Sequence, residues 1–347
     1  MLALFASLPE FVIPDHISPK THHQLLLLMH IRPTGKGRSD GTEIAAEVGV
    51  GIRPRFSGTC SGHCVRVAKI GPDVCFRGYS FLDLTDVIFI EISAVVWVAQ
   101  GWSVAVIDVE DIFDEFNHGH KSPWALRHFL HHASTAWHLL PRFVLLVGDA
   151  SFDPRGYLDL DNVDFVPTRL VDTAFLETAS DDWLVDFDDD GVPELAIGRL
   201  PVQGVEEATT VVRKLVSYAH TGRTGRWTRE ALVVADDTDI YDFVAASADV
   251  AGFLSPTLSV EELFLDQSDA VSLRSELLTH LNEGKLLVNY MGHGSTEMWA
   301  QGDLFTSADA LTLRNHDRLP VVVIMNCLNG FFHDLSTSSL AESLLKA

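Results

Sequence analysis

Two short apolar runs in this chain end in side chains that could carry out covalent chemistry together. Lys285-Leu-Leu-Val-Asn-Tyr-Met-Gly-His-Gly-Ser295 presents an imidazole between two glycines, and Pro320-Val-Val-Val-Ile-Met-Asn-Cys-Leu-Asn-Gly330 presents a thiol. A cysteine attacks a carbonyl carbon as the thiolate, and a neighbouring imidazole can take its proton and later hand that proton to the leaving group. The glycines beside His293 permit unusual dihedrals and close approach of a substrate backbone. The amides of Gly294 and Cys327 are the candidates to hold a developing oxyanion. Most isolated cysteines in apolar strands are inert core residues, and the chain has 16 histidines. Only His293 has the strand-end Gly-His-Gly setting, and the tandem of the two runs favours chemistry over packing.

The elements that must position this pair follow from the pattern. Each apolar run is about five residues long, as expected of a strand buried on both faces, and stops at Gly, Asn or Ser. In an open α/β sheet, ligands bind at the carboxyl ends of neighbouring parallel strands, which is where His293 and Cys327 fall. Upstream, short β-branched runs alternate with helix-period segments. Strands are expected at 87–90, 103–108, 143–147, 231–235 and 262–265. Helices are expected at 122–137, 205–220, 243–253, 270–282 and 307–313, with a last one starting at Ser338. The alternation predicts an α/β fold of mainly parallel sheets with covering helices. The Gly and basic residues of His220-Thr-Gly-Arg-Thr-Gly-Arg226 suggest two lobes, 83–222 and 223–347, behind an irregular leader at 1–82 rich in Pro, Gly and basic residues.

Composition narrows the partners. The 347 residues carry a net charge of −23. Residues 1–80 hold nine Lys/Arg against six Asp/Glu, so the remainder holds 16 against 42. Such an acidic body repels phosphate backbones, which argues against nucleic acid and leaves cationic peptides or divalent metals. No apolar run is long enough to span a bilayer; the longest, Val87 to Ala99, is broken by Glu91. The start, Met1-Leu-Ala-Leu-Phe-Ala-Ser7, lacks the basic residues and the apolar length of a signal peptide.

Two clusters have metal-ligand character. Asp186-Phe-Asp-Asp-Asp-Gly-Val-Pro-Glu194 places carboxylates at positions 1, 3 and 5 of a loop with Gly at position 6, the first half of a calcium loop. Asp186, Asp188 and Asp190, the Val192 carbonyl and Glu194 are its candidate ligands, although position 12 is Ile197 where a bidentate Glu would stand. The alternative is a solvated acidic turn. Cys60, His63 and Cys64 offer a loose zinc pattern with no evident fourth ligand. Cys327 lies 252 residues from the next cysteine, Cys75, and reads as a free thiol.

Five tracts together resemble the gingipain-type cysteine peptidases of the caspase-like group: Val144 to Gly156, Glu177 to Trp183, Pro193 to Pro201, Asn289 to Ser295 and Met325 to Gly330. The resemblance runs over about residues 100–347, and the ordered His-then-Cys pair 34 residues apart is its most specific part. It implies endopeptidase chemistry on protein or peptide substrates, with Cys327 as nucleophile and His293 as general base and acid. It also implies an acid after the Ala231–Ala235 strand to orient the imidazole, for which Asp237 is the best match and Asp236 the next. Asp242 is the match for an acid that receives a basic residue before the scissile bond, and structural Ca2+ and an extracellular or cell-surface location are implied as well. The chain stops one helix after the nucleophile, so the second lobe is expected to be incomplete at its C-terminal end. A transpeptidase that resolves the same thioester with an amine, and a non-catalytic calcium-dependent binding module, remain alternatives.

Overall fold

The computed structural model describes residues 25–31, 102–160, 164–220, 224–267, 269–300 and 302–347. Cys60, His63, Cys64 and Cys75, the expected strand at 87–90 and nearly all of the leader lie outside them. The described residues divide into two compact units between Thr209 and Thr210. This point lies inside the helix at Val205–His220, upstream of the Gly/Arg stretch where the sequence suggests a boundary.

The first unit is built on a four-stranded sheet in the order β2-β1-β3-β6, with β1 at Leu25–Ile31, β2 at Trp102–Asp108, β3 at Phe143–Val147 and β6 at Ala196–Leu200. Its pairing is mixed. β1 runs antiparallel to both β2 and β3, and only β3 and β6 are parallel. This corrects two expectations: residues 25–31 are a strand inside a sheet instead of irregular leader, and this sheet is not mainly parallel. α1 (Val109–Asn117) starts at the Asp108 cap and stops where His118 turns left-handed at φ 55°. α2 (Pro123–Ala136) has Ser122 as its cap and Pro123 in its first turn. The two helices bury Phe113, Leu126, Phe129 and Leu130 against Val144 and Leu146 of β3. A two-stranded hairpin, β4 (Arg169–Asp172) with β5 (Glu177–Ser180), completes the strands of this unit.

The second unit carries the two chemically interesting runs. Its sheet has the order β12-β9-β7-β8, with β7 at Glu230–Ala235, β8 at Ser259–Phe264, β9 at Leu287–Met291 and β12 at Val321–Met325, all parallel. β7 is wholly buried, as a central strand of Ala, Leu and Val covered on both faces should be. α3 (Val205–His220) contains the division between the units, and α4 (Phe243–Phe253) covers one face through Phe243, Val244 and Ala251 against Val233 and Ala235. α5 (Ala270–Glu283) packs Leu273, Leu277 and Leu281 on the opposite face, joined by Tyr290, Trp299 and Phe305. Trp299 belongs to a short pair, β10 (Met298–Trp299) with β11 (Phe305–Thr306), and stacks on Tyr290 with ring centroids 4.3 Å apart. α6 (Ser307–Ala310) and α7 (Leu340–Lys346) each begin with a capping box. The chain leaves β7 to pair β8 on one side and returns to place β9 on the other. The strand order therefore switches at β7/β9, and the crevice lies at their carboxyl ends.

At the opposite, amino end of this sheet, Lys285 is 1% exposed and lies 3.2 Å from Glu230 Oε2 and 2.5 Å from Glu261 Oε2. Removing one member of a buried ion network strands the remaining charge. Lys285→Met is expected to destabilise the protein by about 3 kcal/mol. A denaturant midpoint unchanged from the parent would contradict that.

Candidate active site

Parallel pairing of β9 with β12 runs in register from Val321↔Leu287 to Met325↔Met291. Both strands stop at the same level, and the Gly292 amide donates to the Met325 carbonyl at 3.3 Å just beyond them. The next residues out are His293 on one strand and Cys327 on the other. The loop after β7 lies beside them, since Asp236 N donates to Met291 O at 3.1 Å.

His293 is held from several directions. Its backbone N–H donates to Asp236 Oδ2 at 3.0 Å, and its carbonyl accepts the Tyr290 hydroxyl at 2.6 Å and the Ala300 amide at 2.9 Å. Burial, with the nearby Asp236 charge, pushes the Tyr290 hydroxyl far above its ordinary pKa, so it remains a donor throughout the working pH range. The imidazole Nε2 lies 2.8 Å from Asp239 Oδ2, and the ring meets Phe243 edge to face with centroids 5.1 Å apart. The hydrogen bond with His293 lowers the Asp239 carboxyl below its usual range. An ionised Asp239 is an acceptor for an Nε2–H, and in that tautomer Nδ1 carries the lone pair.

Both glycines around His293 are sterically required. A methyl on Gly292 would collide with Asp236 Cβ and the Tyr290 hydroxyl; one on Gly294 would collide with the Asn326 side-chain amide and come within 3.0 Å of the Cys327 carbonyl. The histidine loop thus lies against the cysteine loop. Cys327 is a free, exposed thiol. The residue after it, Leu328, has φ 65°, a left-handed conformation that costs a side-chain-bearing residue roughly 1–2 kcal/mol and marks a sharp turn at the thiol. Among the described residues, the amides of Gly294 and Cys327 donate to no protein acceptor.

The other expected site residues fall as follows. Asp237, the first choice to orient the imidazole, does not touch it: the loop bends so that the carboxylate two positions later, Asp239, reaches Nε2. Asp236, the second choice, is 4% exposed and holds the His293 backbone instead of the ring. Asp242 caps α4 by accepting from Ala245 N at 2.9 Å and also accepts from the Thr238 hydroxyl at 3.2 Å, so it is committed to the helix.

The model of peptidase family C25 matches residues 93–347. The chain belongs to peptidase family C25. Gingipain R2 of Porphyromonas gingivalis is 26% identical over 160 residues, which cover 44% of this chain and 21% of that protein. Gingipain R1 of the same organism shows the same identity and covers 16% of its own length. In three dimensions, the chain resembles the crystal structure of the Arg-specific cysteine proteinase gingipain R (RgpB), with a TM-score of 0.52 and 21% identity over 65% of this chain and 49% of that one. The complex of the RgpB pro- and mature domains gives a TM-score of 0.52 and 20% identity over 69% of this chain and 57% of that chain. The C25 chain described here therefore has the gingipain-type, caspase-like α/β fold. It spans about a fifth of the curated relatives and about half of the solved ones.

In the first unit, the acidic loop folds around its own carboxylates. One oxygen from each of Asp186, Asp188 and Glu194 lies within 4.8 Å of the others. Asp186 is 8% exposed; its Oδ2 accepts from Gly191 N at 3.0 Å, while its buried Oδ1 has no partner. Desolvation, then the charge of Asp190, raises the Asp188 carboxyl above its usual pKa, and Glu194 and Asp186 add to the repulsion. Asp190 lies outside the cluster and accepts instead from Val192 N at 2.8 Å. Arg127 braces the loop through the Asp186 carbonyl at 2.5 Å and Asp189 at 2.8 Å. Among the described residues, no helix is long and apolar enough to cross a membrane.

Gly294→Ala is expected to destabilise the protein by about 1–3 kcal/mol through overpacking. It should also slow alkylation of Cys327 by a peptidyl electrophile at least tenfold, because the loops must part. Parent-like labelling kinetics in a folded Gly294→Ala protein would refute the close approach.

Proposed function

We propose that this chain carries the catalytic centre of a calcium-stabilised cysteine endopeptidase. The observation that carries the reading is the placement of His293 and Cys327 at the level ends of adjacent parallel strands, with the far nitrogen of the imidazole bonded to Asp239. His293 Nδ1 takes the thiol proton of Cys327, and the thiolate attacks the scissile carbonyl to give a tetrahedral oxyanion. The uncommitted amides of Gly294 and Cys327 donate to that oxygen. Collapse breaks the C–N bond as the imidazolium gives its proton to the amine, leaving a thioester on Cys327. Water then attacks, loses a proton to His293, and the acid leaves with the thiolate regenerated. Cys327→Ala is expected to abolish turnover; full activity in that variant would remove the proposal.

Asp239 orients the ring. Its carboxyl pKa is depressed, so the contact with His293 is complete at neutral pH and is lost only as pH falls through that lowered value. Both side chains are about half exposed, and solvent can stand in for part of the contact. Asp239→Ala is therefore expected to lower kcat at least about tenfold, yet less than the ~10⁴ found for the buried aspartate of a serine triad. An unchanged kcat would assign the orientation elsewhere.

Preference for a basic residue before the scissile bond follows the Arg-specific relative. Of the four aspartates in the 236–242 loop, Asp237 is the one whose carboxylate carries no hydrogen bond among the described residues, so it is the one left for a substrate cation. The expected result is faster labelling of Cys327 by an arginyl than by an alanyl chloromethyl ketone, with the difference reduced in Asp237→Asn. Equal rates would remove the preference.

For the cation, the donor set fits. Asp186, Asp188 and Glu194 supply hard oxygens in a like-charged cluster that Ca2+ would neutralise, and the buried Asp186 Oδ1 has no other partner. Calcium at 100 times its dissociation constant is expected to add about 2.7 kcal/mol of stability. The melting temperature should fall on chelation, recover with Ca2+ and lose its calcium dependence in Asp186→Asn. A melting temperature indifferent to chelation would leave this an acidic turn.

A further inference from the structure

Asn329 lies two residues after Cys327 and is 2% exposed. Its side chain joins the two catalytic loops. Nδ2 donates to the Ser295 carbonyl at 2.5 Å and to the Met298 carbonyl at 3.2 Å, while Oδ1 accepts from Asn326 Nδ2 at 2.6 Å. Its backbone amide closes on the Cys327 carbonyl at 2.9 Å, and its own carbonyl accepts from Ala341 N at 3.1 Å, tying the turn to α7. One buried amide thus spans from the residue after Gly294 to the residue before Cys327. Those are the two segments that carry the amides of Gly294 and Cys327, which donate to no acceptor among the described residues.

We propose that Asn329 is the positioning residue of this site: it sets the separation of the histidine and cysteine loops, and with it the alignment of imidazole, thiol and oxyanion donors. The inference rests on the cysteine-peptidase reading. The chemistry of the side chain is specific to the task, because the position must donate twice on one side and accept on the other. An ionised aspartate offers acceptors only and would face two carbonyl oxygens. Alanine leaves the Asn326 amide and both carbonyls without that partner, and a misplacement of about 1 Å costs on the order of 10²-fold in rate. The rest of the unit has its own supports, namely the Tyr290–Trp299 stack, the β9/β12 pairing and the Ser339 capping box, so the expected loss is alignment rather than fold.

The test compares parent, Asn329→Ala and Asn329→Asp in calcium-containing buffer, reading kcat and KM on an arginyl peptide substrate, Cys327 labelling by arginyl chloromethyl ketone, and thermal melting, each across pH 5 to 8. Asn329→Ala is expected to lower kcat about 10²-fold with KM within threefold of the parent. Asn329→Asp is expected to be as impaired at pH 8 and to recover at least tenfold relative to the parent as pH falls. The protonated carboxyl can donate to Ser295 O while still accepting from Asn326, and Asn329→Ala should show no such recovery. The proposal is overturned if folded Asn329→Ala keeps kcat within threefold of the parent, or if the Asn329→Asp to parent ratio is flat with pH; this second arm decides the matter alone if the alanine variant does not fold. If the parent neither turns over nor labels faster than a simple thiol, the peptidase reading fails and this inference falls with it. An active parent with indifferent Asn329 variants removes only the inference.

Discussion

The site depends on one constraint: two parallel strands paired in register must end at the same level, and the loops leaving them must touch. β9 and β12 meet the first condition from Leu287/Val321 to Met291/Met325. Gly294 meets the second by omitting the atom that would strike Asn326, and Gly292 likewise leaves room for Asp236 of the loop after β7. Because β7 is wholly buried beside β9, the pair cannot slide without exposing a core of Leu232, Val234, Val288 and Tyr290. The hydrophobic core thereby fixes the height of the histidine above the sheet, and Tyr290, itself in that core, fixes its carbonyl.

On this scaffold, similar residues do different work according to environment. Asp236 is buried and serves the backbone of His293, whereas Asp239 is half exposed and serves its ring. Asp242 serves a helix. Asp236 and Asn329 bond backbone groups of the histidine loop, and Asn326 bonds the Asn329 side chain. The acidic loop of the first unit repeats the theme: Asp190 and Asp186 Oδ2 close the turn through backbone amides, and Asp186 Oδ1 stays uncommitted. Concentrated negative charge is tolerable where backbone donors absorb part of it and a cation can absorb the rest.

Much of this was readable from residue pattern, with identifiable gaps. β3, β7, β9 and β12 are apolar β-branched runs cut by polar or Gly residues, and the helix starts at Ser122, Asp269 and Ser339 are side-chain caps. The helix at Val109–Asn117 was missed, although Asp108 caps it, because it follows β2 with no intervening break in the pattern. β1 was not readable: Leu25-Leu-Leu-Leu-Met-His-Ile31 is leucine-rich without strand alternation, and its strand form comes from pairing on both edges. The short pairs β4/β5 and β10/β11 carry too few residues for a period. At the site, the adjacency of the strand ends that carry His293 and Cys327 was legible, because those residue types are rare in that setting. The choice among Asp236, Asp237 and Asp239 was not, because loop bending decides which carboxylate reaches Nε2. Asn329 gave no signal in one sequence, since a buried bridging amide is defined only by the two loops it joins.

The central claim is that Cys327 becomes acylated during turnover. It is most directly tested by rapid acid quenching of the protein with an arginyl peptide ester in the presence of calcium, followed by peptide mass spectrometry. The account predicts a transient acyl mass on the peptide containing Cys327, sensitive to hydroxylamine and absent in His293→Ala. Turnover of the ester with no acyl group on Cys327, or with one on a different residue, would contradict it.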